Sequence, residues 1–307
     1  MKIAYLILAH DQPLHFHRLI KALDSKSVYF FIHIDLKADI SKFDYSGSKT
    51  NISFVKNRVS VNHGGFSLTQ AMITLLKVAS ASQDFDYFIF LSGRDYPIKD
   101  NNYIINFFEQ NSDINFINFY PLVKNAKFVG NIKRYHFVDI KSNFKLLKPF
   151  LYLLNKFLPN RAFIEGMTPY RGSQWFCLNK QTVNYIIQFL SSKESKKFID
   201  FFKYAWGSDE IFFQTIVLNS NYAVQCRYYQ RDIQDSNQFM EDENKAYLHY
   251  IDWTPERENP ATLDERDFQQ LKATDALFAR KFDEIKSEKL LKEIDRFLLR
   301  LNNQEIS

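Results

Sequence analysis

The chain has 307 residues, 46% of them hydrophobic and 17% aromatic, with 31 Phe and 17 Tyr. Such a composition builds a large buried core and excludes an extended disordered chain. A net charge of +5 with interspersed signs suits anionic small ligands or an anionic surface and makes no demand for nucleic acid.

The two cysteines, Cys177 and Cys226, are too few for a disulfide framework or a zinc site. Their apolar neighbours read as buried thiols in a reducing compartment. The aromatic excess has two readings, a codon-biased genome or walls for flat rings, and composition does not separate them.

In chain order, Ile3–Ala9 is a continuous apolar run, the pattern of a strand buried on both faces. It is too short for a membrane span and lacks a small-residue cleavage site, so the expected compartment is the cytoplasm. Pro13 opens a helix with Leu14, Leu19, Ile20 and Leu23 apolar. Val28–Ile34 and Ile52–Val55 read as strands. Ser67 is placed to cap a helix reaching Ala79. Tyr87–Leu91 and Asn115–Phe119 read as the fourth and fifth strands. This strand–helix rhythm predicts an α/β fold with a mainly parallel central sheet flanked by helices.

Residues 124–161 differ in character. Lys124, Lys127, Lys133, Arg134, Lys141, Lys145, Lys148, Lys156 and Arg161 stand against a single acid, Asp139. Within this stretch Leu146–Leu158 reads as a strongly apolar helix. An acceptor-side subdomain, a membrane-touching helix and a solvated insertion all fit. Beyond it, Gly172–Leu178, Tyr222–Tyr229 and Tyr247–Trp253 read as strands. Gln181–Leu190, Ser208–Asn219, Phe268–Leu271 and Ala276–Arg280 read as helical. Lys286–Leu301, in the 284–307 tail, reads as a docked amphipathic helix. With no repeat and no clear linker, 1–307 reads as one domain.

Doubly wound sheets bind ligands at the carboxyl ends of their strands. Three polar clusters fall there: His10-Asp11, His33–Asp35 with Lys37, and Gly93-Arg94-Asp95. His10, Asp35, Lys37, Arg94 and Asp95 are therefore candidates for holding a nucleotide. Asp35 also fits an ordinary turn cap. An Asp-x-Asp pair at the third cluster would hold Mn²⁺ or Mg²⁺, but Gly93 stands at its first position and leaves only Asp95. No metal is expected. Asp84-Phe85-Asp86 precedes its strand, at the wrong end of the sheet.

Trp206-Gly207-Ser208-Asp209-Glu210 places a flat ring beside two acids in a first helical turn. Acids there also serve simply to offset the helix end. A carboxylate beside such a ring fits a general base toward a sugar hydroxyl. Near the end of the chain, Arg280 and Lys281 are fixed positive charges that fit a departing diphosphate.

Together these segments resemble the core-2/I-branching β-1,6-N-acetylglucosaminyltransferases, glycosyltransferase family 14, which also holds the peptide xylosyltransferases. The matching stretches run from Ala4–His10 to Phe278–Asp283. Between them lie Ile32–Asp35, Gly64–Ser67, Leu91–Lys99, Arg171–Phe176, Ser208–Glu210 and Tyr250–Trp253. The resemblance implies a GT-A type, Rossmann-like fold, inversion at the anomeric carbon and no metal cofactor.

It also assigns roles. Glu210 is the base, Asp35 a nucleotide contact and Lys281 a diphosphate contact. The family's second cation, an arginine, has His249 as its nearest match here, with Arg280 and Arg257 as substitutes. Asp209, Trp206, Ser173, Gln174, Trp175 and Trp253 are acceptor-side candidates. The family tryptophan before Gly64-Gly65 is His63 here. Without the Golgi anchor and disulfides of the animal enzymes, the sequence fits a bacterial, cytoplasmic member acting on a surface glycan or lipid-linked glycan, with peripheral membrane contact open.

The expected donor is a UDP-sugar, UDP-GlcNAc first, with UDP-xylose, UDP-glucose and UDP-galactose as alternatives. A non-catalytic sugar-nucleotide or glycan-binding protein and a metal-dependent transferase using Asp95 and Asp209 are the other readings.

Overall fold

The structure, a computed structural model, describes residues 1–45, 51–122, 126–140, 147–229 and 246–301. Its centre is a five-stranded sheet in the order β3-β2-β1-β4-β8. The strands are β1 (Ile3–Ala9), β2 (Val28–Ile34), β3 (Asn51–Phe54), β4 (Tyr87–Ser92) and β8 (Cys177–Asn179). β1 pairs parallel with β2 and β4, β2 pairs parallel with β3, and only β8 runs antiparallel. The mainly parallel α/β sheet read from the sequence is present.

β1 shows why an unbroken apolar run was required. Its side chains alternate between two cores. Ala4, Leu6 and Leu8 pack with Met72, Leu75 and Leu76 of α2 (Phe66–Ser82), Val183 of α6 (Lys180–Ser191) and Phe212 and Ile216 of α8 (Phe212–Leu218). Ile3, Tyr5, Ile7 and Ala9 pack on the other face with Phe16 and Leu19 of α1 (Pro13–Leu23) and with Phe278, Leu290 and Leu291. A polar residue anywhere in β1 would sit unpaired in one core or the other. Truncating a fully buried ring such as Phe90 to alanine costs about 3–5 kcal/mol.

A second, three-stranded sheet carries the late cations. Its order is β5 (Asp95–Pro97), β10 (Phe278–Arg280), β9 (His249–Ile251). β10 lies in the middle, antiparallel to β5 and parallel to β9, and its register sets Arg280 opposite Asp95.

Several local expectations are overturned. Ala276–Arg280 is not helical, because β5 and β9 supply cross-strand partners that outweigh local preference. Tyr222–Tyr229 is not a strand. Ser220 caps a 3₁₀ turn, Asn221–Gln225, and Tyr228 takes φ 67°; only Cys226 keeps a bridge, to Asn115. Asn115–Phe119 is reduced to that bridge and one from Phe116 to Cys177.

Of Gly172–Leu178 only Cys177 and Leu178 are strand, in β8, while a separate short strand, β7 (Tyr170–Arg171), ends just before Gly172 and pairs with β6 (Tyr120–Pro121). At the break, a Cβ on Gly172 would lie 1.8 Å from the Asn118 carbonyl oxygen. Ser208–Asn219 divides into a 3₁₀ turn, Ser208–Glu210, and α8.

Ser67 does not cap α2. Asp139 does, accepting the Ser67 amide at 2.7 Å and its hydroxyl at 2.7 Å. The one acid of the basic stretch thus fastens that stretch to α2. The tail docks through Leu290, Leu291, Ile294 and Leu299. There Asp295 accepts bonds from Tyr96 at 2.6 Å and Arg18 Nε at 3.0 Å. Lys124, Lys141 and Lys145 lie outside the described residues.

Candidate active site

Because β1, β2 and β4 run parallel, their carboxyl ends share one rim. Asp35 follows β2 there and is 8% exposed. Its oxygens accept the amides of Lys37 at 2.8 Å and Val61 at 3.2 Å, so the turn-capping role is real. Two acceptor oxygens still leave lone pairs for a ribose or base donor. Val59 N–H donates to His33 Nε2 at 2.8 Å, which ties the same loop to β2 a second time. Lys37 Nζ donates to the Val61 carbonyl and lies 3.7 Å from Asp35, with its side chain 58% exposed.

The other end of that loop meets the acid turn. A Cβ on Gly64 would lie 2.6 Å from Trp206 Nε1, so the indole rests against bare backbone. Gly64 takes φ 73°, and its carbonyl accepts the Gly207 amide at 2.9 Å. Val61 and Gly64 are three residues apart, at most ~11 Å of chain. The loop therefore holds the Asp35 side chain and the Trp206-Gly207 turn close together. His63 packs edge-on to Trp206 at 6.1 Å between ring centres.

Gly207 takes φ 64°, a left-handed conformation that favours glycine. The turn it begins buries Asp209 and leaves Glu210 33% exposed. Thr69 and Ser208 share a buried hydroxyl bond of 2.7 Å that pins the turn to α2. Arg171 Nη2 donates to Glu210 Oε2, while the Arg171 guanidinium lies 3.9 Å from the centre of the Phe128 ring. Phe128 belongs to α4 (Ala126–Lys133). Burial pushes the Asp209 carboxyl up to about 7, helped by the Glu210 charge and opposed by its own backbone amide and Arg171. Burial also raises Glu210, with Arg171 and His63 pulling it back. One Glu210 oxygen is held by Arg171, and the other has no hydrogen-bond partner among the described residues.

The second sheet supplies the opposite charge. Asp95 is fully buried. It accepts the Ser92 amide at 2.7 Å, the Ser92 hydroxyl at 2.8 Å and Arg280 Nε at 3.0 Å. Burial alone would raise its carboxyl; Arg280, His249 and Ser92 together outweigh that and hold it below the ordinary range. The Arg280 guanidinium lies 4.4 Å from the centre of the Trp175 ring, and its terminal nitrogens have no partner among the described residues. Lys281 Nζ lies 3.9 Å from Glu258 with 22% of its side chain exposed.

Arg171 and Trp175 stand on one segment, four residues or at most ~14 Å apart. Glu210 and Arg280 therefore each contact one end of this short segment. Neither Arg171 nor Asp139 was singled out for a role by the sequence reading. A pairing across 39 positions leaves no local pattern.

Other candidates are placed differently from the reading. Asp95, His249 and Trp175 are 0%, 0% and 3% exposed. Asp95 spends its carboxylate on Ser92 and Arg280, and His249 stacks on Trp175 at 5.9 Å with its Nε2 3.7 Å from Asp95. All three sit as supports around Arg280, with little surface to offer a ligand. Arg257 is committed to Asp252 at 2.7 Å and Asp267 at 2.6 Å and is not a spare cation.

Arg94 forks onto Asp11, with Nε to Oδ1 at 3.1 Å. His10 stays on the open rim with its side chain 67% exposed. Ser173 accepts the Trp175 amide at 3.2 Å, Gln174 is half-buried, and Trp253 is 43% exposed. A Cβ on Gly93 would lie 2.8 Å from that of Ala9, so a carboxylate side chain has no room at the first position of an Asp-x-Asp pair. Among the described residues, no group of three or more His, Cys, Asp or Glu could hold a metal.

Residues 3–273 match the Core-2/I-Branching enzyme family. The chain belongs to that glycosyltransferase family. Among its relatives, Xylosyltransferase 1 of Rattus norvegicus is 25% identical over 97% of this chain and 35% of its own length. Xylosyltransferase 2 of Homo sapiens is 26% identical over 96% of this chain and 33% of its own length. The chain thus spans about a third of the length of these relatives. Among solved structures, galactosyltransferase LgtC in complex with donor and acceptor sugar analogs aligns over 98% of both chains, at 10% identity and a TM-score of 0.40. So distant a likeness adds nothing to the argument. Asp35 lies on the loop that also meets the Trp206-Gly207 turn, Arg171 joins Glu210, and His249 stacks on Trp175 beside Arg280 rather than standing in its place.

Proposed function

We propose that this chain is an inverting transferase that moves a sugar from a UDP-sugar to a hydroxyl of a glycan acceptor. What supports the reading is the separation of charge between the acid turn and the end of the second sheet. A partly open Glu210 is held on one oxygen by Arg171, and Arg280 and Lys281 approach from the second sheet. Glu210 takes the proton of the acceptor hydroxyl. That oxygen forms the new bond to the anomeric carbon as the bond to UDP breaks on the opposite face. Negative charge grows on the leaving diphosphate, where Arg280 and Lys281 stabilise it. Asp35 holds the nucleotide, Trp206 and Gln174 face the acceptor, and Asp209 supports the turn.

We read the transfer as metal-independent. Support comes from Gly93, which has no room for a carboxylate, and from Asp95, whose oxygens already hold Ser92 and Arg280. For the donor, the resemblance to β-1,6-N-acetylglucosaminyltransferases favours UDP-GlcNAc. A second reading, UDP-xylose, is favoured by the xylosyltransferases among the relatives. An acceptor in a surface or lipid-linked glycan and a cytoplasmic site belong to the same proposal.

The test is UDP release from a panel of UDP-sugars with and without EDTA. One donor hydrolysed at an unchanged rate in EDTA supports the reading. Turnover abolished by EDTA and restored by Mn²⁺ overturns its metal-free part. No turnover of any donor, with UDP still bound, returns the chain to the class of binding proteins.

A further inference from the structure

Helix α5 (Leu147–Asn155) and the turn after it present their apolar stripe outward. Phe150, Leu153, Leu154 and Phe157 are 59%, 53%, 37% and 79% exposed. They stand at i, i+3, i+4 and i+7, the spacing of one helical face. The positions turned toward the protein are Leu147, Leu151 and Asn155, each partly buried. A surface helix ordinarily turns such a stripe to the core. No other described helix carries four large exposed apolar side chains at this spacing.

Along the chain, the charge of the stripe's own segment has one sign. Between 140 and 161 the sequence holds Lys141, Lys145, Lys148, Lys156 and Arg161 and no acid. Asp139, just before this stretch, is held on the α2 cap, and the next acid along the chain is Glu165. Lys133, Arg134 and Lys156 are exposed. No described helix is long and apolar enough to cross a membrane, so the stripe suits a surface rather than a span.

We propose that this face of α5 rests on an anionic lipid bilayer, with the aromatic and leucine side chains in the headgroup–acyl boundary and the lysines among the phosphates. An apolar stripe and a basic patch together are the two signals that peripheral attachment requires. The face is fastened near the candidate site. Asn155 Oδ1 accepts the Tyr135 amide at 3.2 Å, and the His136 amide donates to the Tyr204 carbonyl at 2.9 Å, two residues before Trp206. If the reading of the site holds, an acceptor carried on a lipid reaches Trp206 from this surface; bilayer binding itself stands without that reading.

The experiment is co-sedimentation of the full chain with phosphatidylcholine vesicles, with and without phosphatidylglycerol, at low and raised salt. The expected result is binding that needs phosphatidylglycerol and weakens with salt. The double variant F150S/F157S is expected to lose at least roughly tenfold in partitioning, because two exposed rings leave the boundary. K156E is a milder probe that keeps the apolar stripe intact. Both positions are exposed, so circular dichroism and donor hydrolysis are expected to stay unchanged.

The proposal is overturned if wild type ignores phosphatidylglycerol vesicles or if F150S/F157S binds them equally well. It is overturned too if the face pairs two copies of the chain, seen as a dimer that the double variant dissolves without vesicle binding in wild type.

Discussion

Two buried aspartates of the site behave in opposite ways. Asp95 is 0% exposed and Asp209 5%, so burial penalises both charges. Asp95 nevertheless stays below the ordinary carboxylate range, while Asp209 is pushed up to about 7. The difference lies in the neighbours. Asp95 faces Arg280, His249 and the Ser92 amide, and Asp209 faces the charge of Glu210. Burial raises both carboxyls, and only at Asp95 do the partners outweigh it. The region around Asp95 keeps a carboxylate charged so that it can hold a cation. The region around Asp209 raises both of its carboxyls, Asp209 to about 7 and Glu210 in the same direction, the sense of shift a general base uses.

That contrast breaks first at Glu210. Glu210→Gln keeps the shape and removes the base, and transfer is expected to fall by about 10³-fold or more with UDP binding unchanged. Steady-state transfer and calorimetric UDP titration check both halves. Next comes Arg280→Met on the cation side, expected to lower kcat by about 10²-fold. Its stability should also fall, since Asp95 is left buried without its main partner.

Arg171→Met is a subtler probe of the acid side. Arg171 holds Glu210 toward its charged form. Its loss is expected to move the acid limb of the pH–rate profile upward, while Arg171→Lys restores part of the shift. A profile that does not move makes Arg171 a packing residue only.

The smallest effect is on stability. The Asp209 carboxyl holds its proton up to about 7 when folded, against 3.8 in the free chain. Its contribution to stability is full below the free value and is lost as pH rises toward 7. Asp209→Asn is therefore expected to match wild type near pH 4 and to melt several degrees higher at pH 8.

Much of this was legible along the chain. β1, β2 and β4 are apolar runs whose burial is encoded residue by residue, and their polar ends announced the rim. The second sheet was not legible. Its strands are three residues each, drawn from positions 95, 249 and 278 onward, and Phe278-Ala279-Arg280 carries a neutral local preference that only its neighbours resolve. The acid turn was read as helix because acids and a glycine mark a helix start. The 3₁₀ geometry comes from contacts of Gly207 with Gly64 and of Ser208 with Thr69. Arg171 and Asp139 escaped for the same reason, since each acts on a residue far away in sequence.

The account rests on a base in the Asp209–Glu210 turn working without a metal. The pH dependence of kcat/KM for UDP-sugar turnover, measured in EDTA on wild type, tests that most directly. The predicted result is full activity in EDTA, with rate lost on acidification at a pH above the ordinary carboxylate range. A rate that vanishes in EDTA, or an acid limb no higher than that of an unperturbed glutamate, would contradict it.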